Sequence, residues 1–274
     1  LTHGVTVSNE WMEAMIAGDS DKRAIWAKIL QRRGEIGYPY ILFSDNANDN
    51  TVEVYKDKHE IYASNLCTEI MLPSNEDWSF VCCLSSINLL HYDKWKDTDA
   101  VETLTYFLDA VMNEFITFLE KAYNFAYENR ALGLGALGWH SLLQSKMLPF
   151  DSQQAYSLNS EIFKLIKEKS YEASKTLAFD YGAPPMLRGI GRRNATLNAV
   201  APTTSSAFIL GQVSQSIEPI WSNIYVKDIA KIKTTIRNPE LERLLISKGE
   251  NTSAVWSKIR DNDGSVQSLD ILTD

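Results

Sequence analysis

Cysteine is scarce in this sequence, and histidine is hardly more common. The chain of 274 residues contains three cysteines, of which Cys82 and Cys83 are adjacent. An odd number of cysteines is a poor framework for structural disulfides, so the composition predicts reduced thiols that are free for chemistry. Because no Cys-x-x-Cys pair is present and the four histidines are scattered, we predict that this chain holds no zinc or other metal.

The sequence also has few basic residues relative to acidic ones, and it lacks long apolar runs. The 27 lysines and arginines are outnumbered by 35 acidic residues, which gives a net charge of −8. Binding of nucleic acid without sequence preference needs clustered basic residues, so this balance argues against a nucleic-acid partner. No apolar run reaches the roughly 18 residues that span a bilayer, and the N-terminus has no signal-peptide pattern. We therefore expect a cytoplasmic protein without a membrane partner.

What the sequence does contain is the pattern of an α/β protein. Hydrophobic residues make up 45% of the chain, which is enough for a substantial core. Helical periodicity alternates with short apolar runs that are typical of buried strands. In the first half of the chain, the pattern predicts two helices before Gly34, a buried strand at residues 38–43, a polar turn at 44–48 and a strand at 80–84. A long helix at 99–129, whose apolar stripe includes Phe115 and Phe118, and a second helix at 152–180 follow. The remaining predictions are a strand at 193–202, a solvated helical face for the lysine-rich stretch after Tyr225, and a helix that begins at Asn238.

These elements predict a single α/β domain over residues 1–274. No internal repeat or low-complexity linker divides the chain. Since the chain opens at Leu1 without a methionine and stops within polar sequence, we expect an excised or split piece.

One short stretch concentrates chemically useful side chains. Asn65, Cys67 and Glu69 occupy alternate positions, and in an extended segment such side chains point the same way and converge. A thiol in that place can act as a nucleophile, a metal ligand or a one-electron redox centre, while the carboxylate accepts a proton and the amide holds a hydroxyl. The alternative is that Cys67 is a small buried hydrophobe.

Strand geometry restricts where the two adjacent cysteines can point. In the predicted strand at residues 80–84, Cys82 and Cys83 must face opposite sides, so only one of them can enter a site. The other is left for packing.

Two further motifs have alternative interpretations. Residues 133–138 read Gly-Leu-Gly-Ala-Leu-Gly, formally the glycine fingerprint of a dinucleotide site, but helical patterns on both sides disfavour that use. Residues 202–206 read Pro-Thr-Thr-Ser-Ser after the predicted strand, which favours an anion cradle at a helix N-terminus. An ordinary helix cap, which needs only one hydroxyl, is the alternative.

Several of these motifs resemble one family. Asn-Leu-Cys-Thr-Glu-Ile at residues 65–70, Cys-x-Leu-Ser from Cys82, the glycine-rich segment from Arg130, the strand and loop at 194–206, and Ser-Ile-Glu-Pro from Ser216 are similar to the large, catalytic subunit of ribonucleotide reductase. The resemblance implies part of a ten-stranded α/β barrel with a central finger loop that carries a radical cysteine. By the same resemblance, we expect the N-terminal regulatory region, the first half-barrel strands and the C-terminal tail of that family to lie outside the sequence given.

The resemblance also implies a role for each matched residue. Cys67 abstracts the 3'-hydrogen of a ribonucleotide, Glu69 takes the proton of the 3'-hydroxyl, Asn65 hydrogen-bonds the ribose hydroxyls, and Cys82 is one of two reducing thiols. Substrate binding falls to Leu84 and to the phosphate loop, which consists of Pro202, Thr203, Thr204, Ser205 and Ser206.

Finally, the resemblance implies partners rather than a bound cofactor. The family requires an external radical generator, either a metal-radical small subunit or cobalamin, and a dithiol reductant such as thioredoxin or glutaredoxin. ATP and deoxynucleotide effectors bind outside this segment, and the complete subunit is expected to be a homodimer. We expect the 274 residues to need the rest of the large subunit for turnover. The alternatives are a non-catalytic fragment of a split reductase, which binds nucleotide phosphates or assists assembly, and an unrelated NAD-dependent enzyme that uses residues 133–138.

Overall fold

The computed structural model describes residues 3–114, 119–229 and 232–272. In this part of the chain, six strands form three two-stranded sheets, and α-helices connect them. The strands are β1 (Gly4–Val7), β2 (Tyr40–Phe43), β3 (Leu84–Asn88), β4 (Gly133–Leu137), β5 (Ile224–Ile229) and β6 (Ile232–Arg237). The helices are α1 (Asn9–Ala17), α2 (Ser20–Ile36), α3 (Ser44–Asp49), α4 (Tyr92–Trp95), α5 (Ala100–Asn113), α6 (Glu120–Asn129), α7 (Trp139–Ser145), α8 (Gln153–Tyr181), α9 (Thr204–Ile209), α10 (Pro239–Ser247) and α11 (Ser253–Asp261).

Strand pairing is parallel near the N-terminus and antiparallel near the C-terminus. β1 pairs with β2 in parallel, with Gly4 opposite Tyr40. β3 is the neighbour of β4, and β5 pairs with β6 as a hairpin. An isolated parallel bridge joins Leu134 of β4 to Asn198. In the described residues, no helix is both long and apolar enough to cross a membrane.

The chain forms two compact units. The first comprises residues 1–84, 102–134 and 169–199, and the second comprises residues 85–101, 135–168 and 200–274. A core in the first unit gathers buried side chains from its three segments, including Tyr55, Ile70, Leu72, Phe125 and Ala195. In the second unit, one core is built on α10 and α11, and a smaller one joins Leu137, Ala207 and Val213.

Local signals account for both ends of α2. The Asp19 carboxylate accepts hydrogen bonds from the backbone N–H groups of Asp21 and Lys22, as an N-cap of α2 should. Helix α2 continues through Gly34 and ends at Gly37, whose φ of 77° lies in the left-handed region that glycine tolerates. The prediction that the second helix stops before Gly34 was therefore wrong by one turn. The predicted helices at 152–180 and after Asn238 are confirmed as α8 and α10.

Four sequence predictions failed for identifiable reasons. The single helix at residues 99–129 is two helices, because Leu119 has extended backbone angles; Phe115 and Phe118 lie outside the described residues. The polar turn at 44–48 is helix α3, and the predicted strand at 193–202 makes only the isolated bridge at Asn198. The lysine-rich stretch is the hairpin β5–β6 and not a helix, since its alternating branched residues favour strands.

The two predicted apolar strands are displaced or less buried than expected. The run at residues 38–43 gives β2, but Phe43 is 40% exposed, because within the described residues β2 pairs with the short β1 alone. The run at 80–84 precedes β3, which starts at Leu84. Apolar runs thus identified where extended chain occurs, but not which residues form ladders.

A buried acid organises part of the first unit. The Asp109 side chain on α5 is 4% exposed and accepts hydrogen bonds from Arg130 Nε at 2.7 Å, Arg193 Nε at 2.9 Å and Asn194 Nδ2 at 2.8 Å. Burial alone would raise the pKa of Asp109, but the two guanidinium groups outweigh it and hold the pKa below its ordinary value. Asn194 Nδ2 also donates to the Arg130 carbonyl at 3.1 Å, so the network joins the segment before β4 to the segment after Arg192.

We expect Asp109→Asn to destabilise the chain by about 3–5 kcal/mol, since it leaves two arginines without their buried partner. Asp93→Asn is the control, because Asp93 is 61% exposed in its ion pair with Lys146, and should cost at most about 1 kcal/mol. Denaturant unfolding of both variants measures the difference. The Asp109 contribution should be present above the unfolded pKa of about 4 and lost as pH falls through the lower folded pKa. Equal costs for the two variants at pH 7 would contradict this view of the network.

Candidate active site

The segment that carries Cys67 is a tight turn and not an extended strand. The backbone N–H of Thr68 donates to the Asn65 carbonyl at 3.1 Å, and Thr68 has a φ of 64°, in the left-handed region. Asn65 N donates to the Ile70 carbonyl at 3.4 Å, which closes the base of the turn. The expectation that side chains converge through strand alternation was therefore wrong, because the turn sets their directions.

The turn nevertheless brings Asn65 and Glu69 together. Asn65 Nδ2 donates to Glu69 Oε2 at 2.7 Å, and Asn65 Oδ1 accepts from the backbone N–H of Ile70 at 3.0 Å. Both ends of the carboxamide are thus engaged, which fixes the position of the Glu69 carboxylate. Ile70 and Leu72 are buried in the core of the first unit and anchor this side of the turn.

Cys67 lies at the exposed tip of the turn. Its thiol is solvent-accessible, and the preceding Leu66 is 66% exposed. The Thr68 hydroxyl donates to the Cys67 carbonyl at 2.7 Å, so the hydroxyl next to the thiol is occupied with the backbone. The tip of the turn therefore exposes the Cys67 thiol next to the apolar Leu66 side chain.

The adjacent cysteines lie in different surroundings. Desolvation first, and then the Glu69 carboxylate, raise the pKa of the Cys82 thiol, while a hydrogen bond with Asn65 acts in the opposite direction. The Cys82 side chain is exposed, and Glu69, Asn65 and Cys67 are the named groups that influence its pKa. Cys83 is buried and donates to the Leu108 carbonyl at 3.5 Å; burial and Asp109 raise its pKa to about 11.

Leu84 lines a small cavity next to Glu69. The cavity has a volume of about 170 Å³, and its walls include Glu69, Leu84, Gly133 and Ala199. Ligand pockets for drug-sized molecules usually exceed about 300 Å³, so this one suits a part of a nucleotide and not the whole of it.

The predicted phosphate loop lies in the second unit. Helix α9 starts at Thr204, and Thr203 has a φ of 53°. The Thr203 hydroxyl accepts from the backbone N–H of Ser216 at 2.8 Å, whereas Pro202, Thr204, Ser205 and Ser206 are exposed. Buried Ala207 donates its N–H to the Thr203 carbonyl at 2.8 Å. Residues 204–206 thus leave their hydroxyl-bearing side chains exposed, while Thr203 is engaged in holding the loop.

The glycine-rich segment does not form a dinucleotide loop. Gly133 and Gly135 lie inside the fully buried strand β4, and only Gly138, with a φ of 81°, stands between that strand and α7. A dinucleotide fingerprint needs its glycines in the loop after the strand. In the described residues, no group of three or more His, Cys, Asp or Glu side chains is placed to hold a metal.

Sequence reasoning missed two features of this region. The turn geometry was missed because the Asn65 side chain, and not strand periodicity, sets it. Asp109 was missed because the apolar stripe of its helix dominates the pattern, although a single acid beside Leu108 and Met112 on that stripe is itself a signal of a buried ion pair.

Comparison with known proteins identifies the family. A family model described as the ribonucleotide reductase barrel domain matches residues 7–188 and 185–274. The chain belongs to this family. It is 39% identical to a putative ribonucleoside-diphosphate reductase large subunit of Frog virus 3, with 100% of this chain and 52% of that protein covered. It is 31% identical to the large subunit of Caenorhabditis elegans, where the match covers 90% of this chain and 36% of the relative.

A solved structure of this family has a similar fold. The Actinobacillus ureae class Id ribonucleotide reductase alpha subunit has a TM-score of 0.91 and 55% identity to this chain, with 100% of this chain and 52% of that chain covered. The predicted family and the predicted barrel-type α/β fold are confirmed. The chain spans 52%, 41% and 36% of the length of three curated relatives that match 90% or more of its residues.

We expect Glu69→Gln to lower the pKa of Cys82, because it removes a nearby negative charge that disfavours the thiolate. The measurement is the pH profile of iodoacetamide alkylation in a Cys67→Ser, Cys83→Ser background, where Cys82 is the only thiol. The profile should move to lower pH. Glu76→Gln, at an exposed position, is the control and should leave the profile in place. An unmoved profile for Glu69→Gln would show that the carboxylate is not beside Cys82.

Proposed function

We propose that this chain forms part of an enzyme that reduces ribonucleotides to 2'-deoxyribonucleotides by thiyl-radical chemistry. The observation that carries the proposal is the hydrogen bond between Asn65 and Glu69 in the turn that presents Cys67, in a chain of the reductase barrel family. A thiol, a carboxylate and a second thiol are the groups that such a reaction needs.

Cys67 and Glu69 would begin the reaction. The Cys67 thiyl radical takes the 3'-hydrogen of the ribose, so that an S–H bond forms and the C3'–H bond breaks. Glu69, when ionised, accepts the proton of the 3'-hydroxyl, and Asn65 helps to hold the sugar hydroxyls. The short Asn65–Glu69 hydrogen bond supports this assignment, because it fixes the carboxylate before substrate arrives.

Cys82 would supply reducing equivalents. Two thiols give two electrons and two protons, the 2'-hydroxyl leaves as water, and the thiols end as a disulfide. At the close of the cycle, Cys67 returns hydrogen to C3' and the radical is regenerated. The second reducing thiol must come from outside this chain, since Cys83 is buried against Leu108. A dithiol protein such as thioredoxin or glutaredoxin would then reduce the disulfide.

Substrate phosphates would bind at Pro202, Thr203, Thr204, Ser205 and Ser206, and the nucleoside would contact Leu84. The exposed hydroxyls of residues 204–206 and the free N–H groups at the start of α9 support a phosphate site without lysine or arginine. Thr203 would act mainly by holding the loop, because its hydroxyl accepts from Ser216.

The complete enzyme would need more polypeptide than this chain. Cys67 is exposed here, and a thiyl radical in contact with water and other thiols would be quenched, so the missing polypeptide would have to cover it. We propose that both compact units belong to a single barrel domain, completed by the rest of a large subunit. A radical-generating small subunit, homodimerisation, effector sites elsewhere and a cytoplasmic location complete the proposal.

A second candidate function is that of an assembly or phosphate-binding fragment of a split reductase. It is favoured by one observation, namely that the chain spans only 36–52% of the length of three curated relatives. A reconstituted enzyme that turns over only when this chain is present, and fails when Cys67 is changed, would exclude this candidate.

Three serine substitutions test the catalytic assignment in an enzyme reconstituted from this chain and the rest of a large subunit. Cys67→Ser should abolish turnover and leave nucleotide binding intact, because an O–H bond is too strong to form the required radical readily. Cys82→Ser should block repeated turnover with a dithiol reductant. Cys83→Ser is the matched control and should lose only a modest amount of stability, since the serine hydroxyl can still donate to Leu108.

Residual activity of Cys67→Ser above about a tenth of wild type would remove the thiol from the mechanism, because losing an essential group costs several kcal/mol of barrier. If Cys83→Ser blocked repeated turnover and Cys82→Ser did not, the roles of the adjacent cysteines would be exchanged.

A further inference from the structure

Gly133 occupies a crowded place between two neighbouring segments of the first unit. Its N–H donates to the Cys83 carbonyl at 3.0 Å, and the flanking Leu134 N–H donates to the Leu197 carbonyl at 2.7 Å. The start of β4 therefore lies between the residues that lead into β3 and the residues around the bridge at Asn198. Leu84, Gly133 and Ala199 form part of the wall of the cavity beside Glu69.

Space, and not backbone conformation, is what requires glycine here. A Cβ atom on Gly133 would stand 2.3 Å from Leu84 Cδ2 and 2.9 Å from Ala199 Cβ, although the φ of Gly133 is not in the left-handed region. Contacts this short do not persist, so one neighbour must move. Ala199 Cβ is fixed to its backbone and cannot rotate away, whereas Leu84 can change rotamer.

We propose that Gly133 is a positioning residue of the active site: its missing side chain lets Leu84 lie across β4 and keeps the cavity beside Glu69 open for the sugar of a nucleotide. This inference rests on the proposed function, in which Leu84 contacts the nucleoside. A side chain at position 133 displaces Leu84 from its place on the cavity wall. The resulting cavity fits the sugar less well, although none of the chemical groups is lost.

A thermal double-mutant cycle on this chain tests the contact. Gly133→Ala should lower the melting temperature by at least about 3 °C, since the added methyl group overpacks a space that Leu84 and Ala199 already fill. In a Leu84→Ala background, which removes Cδ2, the same change should cost less than half as much. Gly34→Ala is the control, because a Cβ atom on Gly34 would meet nothing within 4 Å beyond its own turn of α2, and it should not lower the melting temperature.

Kinetics test the positioning role. In the reconstituted enzyme, Gly133→Ala should raise the KM for the ribonucleotide by about tenfold, with a smaller change in kcat, because the sugar is held less well while the reacting groups remain. Gly34→Ala should keep both constants. A purely structural role would leave the KM of the folded Gly133→Ala enzyme unchanged.

Each result decides one part of the inference. An equal cost of Gly133→Ala in both backgrounds would overturn the contact with Leu84, and an unchanged KM would overturn the positioning role. If Gly133→Ala alone fails to fold, recovery of a folded chain in the Leu84→Ala double variant would support the contact, and failure of both would overturn it. An inactive wild-type enzyme would count against the proposed function, while the thermal cycle would still decide the packing.

Discussion

The Asn65 carboxamide uses both of its ends inside the turn that carries Cys67. Its oxygen accepts from the N–H of Ile70, and its nitrogen donates to the Glu69 carboxylate. Because Ile70 is buried in the core of the first unit, the turn is tied to a rigid base. The carboxylate thereby gains a fixed position, and desolvation and the charge of this carboxylate both raise the pKa of the Cys82 thiol. The Asn65 side chain thus links the backbone at Ile70 to the Glu69 carboxylate, the group that we propose as the proton acceptor.

The buried ion pairs of Asp109 are a second constraint on the structure. Asp109 lies between Arg130 and Arg193 in a buried network, and Arg130 has a left-handed φ of 46° that the network helps to hold. Arg130 is followed directly by the strand that contains Gly133, and Asn194 precedes the segment that contains Ala199. Charge pairing and close packing thus act on the same two stretches of chain. Both stretches contribute to the cavity wall beside Glu69.

The sequence predicted the family better than it predicted the local geometry. Residue types and spacing around Cys67, together with the matching motifs, led to the reductase family, and that assignment is confirmed. Periodicity located α8 and the Asn238 cap, because those signals are local. The turn at Asn65 was not predictable from periodicity, since one side-chain hydrogen bond overrides it. Likewise, the break at Leu119 leaves the apolar stripe intact, and the close approach of Leu84 to Gly133 depends on contacts between distant segments.

The central claim is that the Cys67 thiol takes the 3'-hydrogen of a ribonucleotide. The most direct measurement compares single turnovers of the reconstituted enzyme with substrate deuterated at C3' and with substrate deuterated at C5', so that product release does not mask the chemical step. If Cys67 takes this hydrogen, the 3'-deuterated substrate alone should be converted more slowly, and both products should form only with enzyme that contains Cys67. Equal rates for the two labelled substrates, or product formation by the Cys67→Ser enzyme, would contradict it.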